Sequence, residues 1–145
     1  MSERVQDAIP RSFWIISWGA LVWNLLGVAS FVAHMTVTEE ALMKLPEAQR
    51  MFYESMPAWA NGAFAAAVIG GLLGSLLLLL RKLWAVPVFV VSLAGVLGQH
   101  FHAFVLASGL DIFGGAQLVL PALVLIIAVF LVWYSRKSAA RAWIA

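Results

Sequence analysis

The chain has 145 residues, 63% of them hydrophobic and only 11% charged, with a formal net charge of +2. A soluble domain is near half apolar and a quarter charged, so this composition excludes one and points to a single small membrane domain. Without cysteine there is no disulfide, thiolate metal site or cysteine nucleophile, and a small positive charge placed beside hydrophobic ends serves topology rather than nucleic-acid binding.

The first apolar stretch covers residues 13–35. Its run is too long for a signal-peptide core and is interrupted by Asn24 and by tryptophans, so it reads as an uncleaved span. The loop that follows carries helix signals. Thr38 can cap a helix whose first turn holds Glu39 and Glu40, and Pro46 suits the start of a second one. Glu40–Lys44 and Arg50–Glu54 are helix-spaced ion pairs, and Leu42, Leu45, Met51 and Phe52 supply an apolar side. One or two short amphipathic helices within 38–55 are expected to cap the bundle.

The second stretch, 58–80, repeats small residues every fourth position: Gly62, Ala66, Gly70 and Gly74, beside Ala63, Ala67, Gly71 and Ser75. Positions four apart share a helix face, so another backbone can approach closely there. Such a face serves packing within one bundle or contact with a second protomer. The third stretch is 83–107 and the fourth 115–134. Each of the four has about 20 residues, enough to cross ~30 Å of hydrocarbon, and none contains Asp, Glu, Lys or Arg. The expected fold is an all-α membrane protein, a four-helix bundle with a helical segment in its first outer loop.

Arg4 and Arg11 precede the first span, Arg81 and Lys82 separate the second and third, and Arg136, Lys137 and Arg141 follow the fourth. All three basic segments fall on one side, so both termini are expected in the cytoplasm. Trp14, Trp18, Trp84, Trp133 and Tyr134 mark that interface, and Tyr53, Trp59, Phe101, Phe104 and Phe113 the other.

Polar residues collect toward the outer ends: His34, Asn61, Gln99, His100, His102 and Gln117, with Asn24 near the middle of the first span. Polar groups in hydrocarbon pair with one another or line a cavity. At ~100° per residue, Asn24 and His34 share a face of the first span, and Ser92, Gly95, Gln99 and His102 share one of the third. His100 lies about 160° from His102 on that wheel and is expected to point away, toward headgroups or a partner. Pro121 is expected to free the carbonyl of Gln117 four residues earlier. The layer is open to three uses: a hydrogen-bonded clamp, an outward-facing ligand or proton-responsive pocket, or metal or haem ligation through His34 and His102. Catalysis lacks an activated nucleophile or paired intramembrane carboxylates.

The segments Met56-Pro57-Ala58-Trp59-Ala60, Ala63-Phe64, Gly70-Gly71-Leu72-Leu73-Gly74-Ser75, Arg81-Lys82-Leu83-Trp84-Ala85 and Ser92-Leu93 with Gln99 resemble a family of small uncharacterised four-span bacterial inner-membrane proteins, often loosely labelled sugar transporters. The resemblance runs from about Trp14 to Trp133. It implies a multi-pass protein of the bacterial inner membrane and carries no binding or catalytic motif. Four helices at ~8–10 Å spacing leave room for side chains between them rather than a sugar-sized path. The leading expectation is therefore a non-enzymatic accessory subunit or small homo-oligomer, contacting the bilayer and other membrane subunits or itself, with no cofactor and no nucleic acid. The alternatives are a small-solute carrier or pocket using Asn24, His34, Asn61, Gln99, His102 and Gln117, and a haem or metal protein.

Overall fold

A computed structural model describes residues 8–145; Arg4, used above for topology, lies outside the described residues. The chain runs α1 (Arg11–Met35), α2 (Glu39–Met43), α3 (Glu47–Glu54), α4 (Ala58–Leu79), α5 (Ala85–His100), a π-helical extension (Phe101–Leu106), α6 (Gly109–Ile112), a 3-10 turn (Gly115–Leu118) and α7 (Val119–Ala140). Four helical segments are long and apolar enough to cross a membrane: Arg11–Met35, Ala58–Leu79, Ala85–Leu106 and Gly115–Ala140. The four-helix membrane bundle is thus the architecture, with the last span extending six residues past its expected end.

The spans pack in an arc. α4 lies against both α1 and α5, and α5 lies against both α4 and α7, whereas α1 and α7 are not closely packed along their length. The α4–α5 seam is antiparallel and very close. A Cβ added to Gly95 would lie 2.6 Å from Ala63 O and 2.6 Å from Ala67 N, and one on Gly70 would lie 3.1 Å from Ser92 Cβ. Ser92 Oγ closes the seam by donating to Ala67 O at 2.6 Å.

A mid-span clamp joins α1 to α4. Asn24 Nδ2 donates to Ala20 O at 2.8 Å and to Ser75 Oγ at 3.1 Å, and Ser75 Oγ donates to Gly71 O at 2.8 Å. Gly71 makes room for it, since a Cβ there would strike Asn24 Oδ1. Interhelical hydrogen bonds of this kind contribute about 0.6 kcal/mol on average. Asn24→Leu is therefore expected to change bilayer-embedded stability by no more than about 1 kcal/mol, read by reversible unfolding against the native chain.

The basic end holds the core cluster: Phe13, Leu78, Ala85, Phe89, Leu131, Tyr134, Trp143 and Ile144. Tyr134, expected at the interface, is buried here, while Trp14, Trp18, Trp84 and Trp133 are exposed around it. Residues 142–145 fold back over this end. α4 and α7 both finish in Schellman turns with a non-glycine residue in the left-handed region, Arg81 (φ 58°) and Ala142 (φ 55°). Their six-to-one bonds are Lys82 N→Leu77 O at 2.8 Å and Trp143 N→Ser138 O at 2.9 Å. The two turns then join, through Leu83 N→Ala145 O (3.1 Å), Ala145 N→Arg81 O (2.8 Å) and Arg81 Nε→Trp143 O (2.7 Å).

The opposite end carries the expected cap. Thr38 Oγ1 accepts from Ala41 N at 3.2 Å and starts α2; Pro46 precedes α3. The Glu40–Lys44 (3.6 Å) and Arg50–Glu54 (3.9 Å) pairs form as spaced, although exposed pairs add little stability. Phe52 is the buried anchor, packed on Phe113 with ring centroids 5.1 Å apart, whereas Met51 faces outward.

Candidate functional site

Because α1 and α7 splay apart, the bundle encloses a cavity of about 380 Å³. α4 and α5 form its back wall through Phe64, Ala67, Val68, Phe89, Val96 and Gln99, and α1 and α7 flank it through Trp23, Gly27, Pro121, Ile127, Ala128 and Leu131. Leu26, Ser30 and Leu120 also line it and are exposed on the outer surface, so the cavity opens sideways between α1 and α7. A second hollow of about 340 Å³ continues the same seam toward the basic end and shares Trp23, Ile127 and Leu131. Ligand sites commonly span about 300–1,000 Å³, and an apolar cavity of ~150 Å³ already admits benzene. The expectation of a filled bundle centre is corrected here: it assumed four mutually packed helices, and one of the four seams is open.

The wall is mainly apolar, and most of its polar groups are spent within the protein. Asn24 serves the α1–α4 clamp, Ser92 bonds Ala67 O, and Ser30 Oγ donates to Leu26 O at 2.9 Å. Gln99 faces inward as expected, and among the described residues it has no hydrogen-bond partner. His100 differs from expectation. It lines the cavity, and its Nε2 lies 2.9 Å from Pro121 O. A carbonyl only accepts, so Nε2 carries a proton and donates it to Pro121 O. Its Nδ1 is buried and has no partner. His100 does point away from His102; the face opposite His102 is covered, because α5 sits between α4 and α7.

The other expected site residues lie outside this cavity. His34 Nε2 donates to Asn61 Oδ1 at 3.2 Å, and its ring sits 5.5 Å from Tyr53 and 5.6 Å from Phe64. His102 is buried between Phe52 (6.0 Å) and Trp59 (5.5 Å), on the π-helical turn closed by Ala107 N→His102 O at 2.8 Å. The two histidines contact adjacent residues of α3, and no ring contact or hydrogen bond joins them. No group of three or more His, Asp or Glu among the described residues could hold a metal ion. Gln117 is exposed in the 3-10 turn before α7. Pro121 stands in the first turn of α7, where a backbone N–H has no helical acceptor, so it frees nothing at Gln117. Its own carbonyl is the group used, by His100.

The small-residue stripe is divided. Gly70 and Gly74 face α5, the latter with space for a Cβ only 2.7 Å from Phe89 Cδ1. Ala66 is half-buried, and Gly62 is exposed with nothing within 4 Å. Sequence reasoning missed Trp23, Ala128 and the inward turn of His100, all of which depend on the α1–α7 splay. No family model, curated protein or solved structure matches the chain.

Proposed function

We propose that the protein is a non-enzymatic, multi-pass membrane protein that holds a small lipid-soluble molecule in the cavity between its four spans. The observation that carries this reading is the lateral opening between α1 and α7. It gives a molecule dissolved in the bilayer a route to an aromatic and aliphatic wall. The wall bears no Asp, Glu, Lys or Arg, which disfavours a strongly hydrated solute such as a sugar. An oligomer built on the Gly62, Ala66, Gly70 and Gly74 stripe has less support, because Gly70 and Gly74 are taken up against α5. Arg11, Arg81, Lys82 and Arg136 support an orientation with both termini in the cytoplasm. The segments from Pro57 to Gln99 support placement in a bacterial inner membrane, by their resemblance to four-span proteins found there.

The test is native mass spectrometry of the full chain released from its membrane. One small apolar molecule per chain is expected, and its occupancy should fall in Ala128→Phe, whose ring takes up part of the cavity. A native chain that retains nothing except bilayer lipid, indistinguishable from the variant, rejects the reading.

A further inference from the structure

We infer that the seam between α1 and α7 is a slot for one long hydrocarbon tail, open in its outer half and closed at the basic end, whose depth selects tails of about 16 carbons. The inference rests on the ligand-site reading above and specifies its ligand class: a single-tailed amphiphile recognised by its tail.

Shape carries the assignment. The two hollows follow one another along the seam and share Trp23, Ile127 and Leu131, which stand between them. A compact ring system would fill one hollow and leave the other empty, whereas a flexible tail passes these side chains and fills both. On α1 the outer hollow reaches Ser30 and the lower one reaches Ile16. At ~1.5 Å per residue these positions are about 20 Å apart along the helix. A fully extended chain advances about 1.2 Å per bond, one third of the ~3.5 Å of an extended residue, so about 16 carbons run from mouth to floor. The mouth is the lateral opening at Leu26, Ser30 and Leu120. The floor is aromatic. Toward the basic end, Phe13 stands one turn beyond Ile16 on α1, and Tyr134 one turn beyond Phe130 on α7. Phe13 is stacked on Tyr134 at 6.4 Å and meets Trp143 edge-on at 6.1 Å. All three rings are buried, so a tail ends against them. Neither hollow is lined by Asp, Glu, Lys or Arg, which leaves methylene groups without a polar competitor along the slot. Gly19 lines the lower hollow, and a Cβ there would meet nothing within 4 Å, so its missing side chain is part of the depth.

The experiment places the full chain in lipid nanodiscs doped with equal amounts of 1-decanol, 1-dodecanol, 1-tetradecanol, 1-hexadecanol, 1-octadecanol and 1-icosanol, with 1-adamantanol as a compact competitor. Native mass spectrometry reads which alcohol is bound. The tails come from lipid, so hydrophobic transfer cancels and the preference reports fit. Occupancy should peak at 1-hexadecanol. In Gly19→Leu the side chain leans over the turn toward Ile16 and takes up ~4.5 Å of the slot, so the peak should move about four carbons shorter, to 1-dodecanol. Tm should stay that of the native chain, because the added side chain enters open space. Ile16→Ala, at the floor, should move the peak the other way by about two carbons, to 1-octadecanol. Equal occupancy along the series, or a peak that stays in place in both variants, overturns the tail assignment. If 1-adamantanol displaces the tails and Ala128→Phe lowers its occupancy, the cavity remains a ligand site and only this inference fails. If no alcohol binds the native chain more than it binds Ala128→Phe, both readings fail.

Discussion

Trp143→Ala is expected to destabilise the chain by about 3 kcal/mol, the lower end of the range for removing a buried large aromatic side chain. Trp143 is 7% exposed, although only two residues from the end of the sequence given. Its ring lies 6.1 Å from Phe13, which is itself 6.4 Å from Tyr134. These aromatic contacts tie α1 to α7 at the basic end, where the two helices otherwise remain apart. The indole Nε1 is buried without a partner, so the loss on truncation is one of packing rather than hydrogen bonding. Trp143→Phe separates the two: it keeps a ring against Phe13 and deletes an unpaired donor, and should cost less than about 1 kcal/mol. Reversible unfolding in bicelles measures both. A second readout follows from the architecture. With no native cysteine, spin labels at Ile15→Cys and Val129→Cys report the α1–α7 separation, and Trp143→Ala should lengthen and broaden it. An unchanged distance distribution would show that the aromatic contacts do not set the seam.

The parts of this fold that sequence could reveal are those set locally. A bilayer fixes the length of a span, and Thr38, Pro46 and the i,i+4 ion pairs act within one turn of themselves, so the spans and both cap helices emerge from their own residues. The orientation of His100 could not emerge that way. A helical wheel separates it from His102, but only the order of helices around the bundle decides that both faces of α5 are covered. Gln117 was misplaced for a similar reason: the apolar stretch begins at Gly115, whereas the α-helix begins at Val119, which moves Pro121 from a helix interior to a first turn. The cavity itself is a missing helix contact, and no residue spells one. Trp143 and Ile144 lie beyond the last apolar stretch, and their burial depends on the Schellman turn at Ala142 that folds them inward.

The same dependence on partner register separates one glycine from another. Gly95→Ala should destabilise the chain by about 2–3 kcal/mol, the upper part of the range for overpacking, and Gly95→Leu should prevent the α4–α5 pair from assembling. A Cβ at Gly95 would meet Ala63 O and Ala67 N, both at 2.6 Å. Both are backbone atoms, so no side-chain rotation relieves the contact and the helices themselves must part. That separation would stretch the 2.6 Å Ser92 Oγ→Ala67 O bond one turn away. It would also displace Gln99 one turn in the other direction, on the cavity wall. Gly62→Ala is the contrast. Gly62 belongs to the four-residue stripe that sequence singles out, yet a Cβ there meets nothing within 4 Å. Its substitution should be neutral or stabilising by up to about 1 kcal/mol, through helix propensity alone. If the two substitutions cost the same, the α4–α5 contact is looser than its geometry indicates, and the back wall is not the rigid element that holds Gln99 and His100 in place.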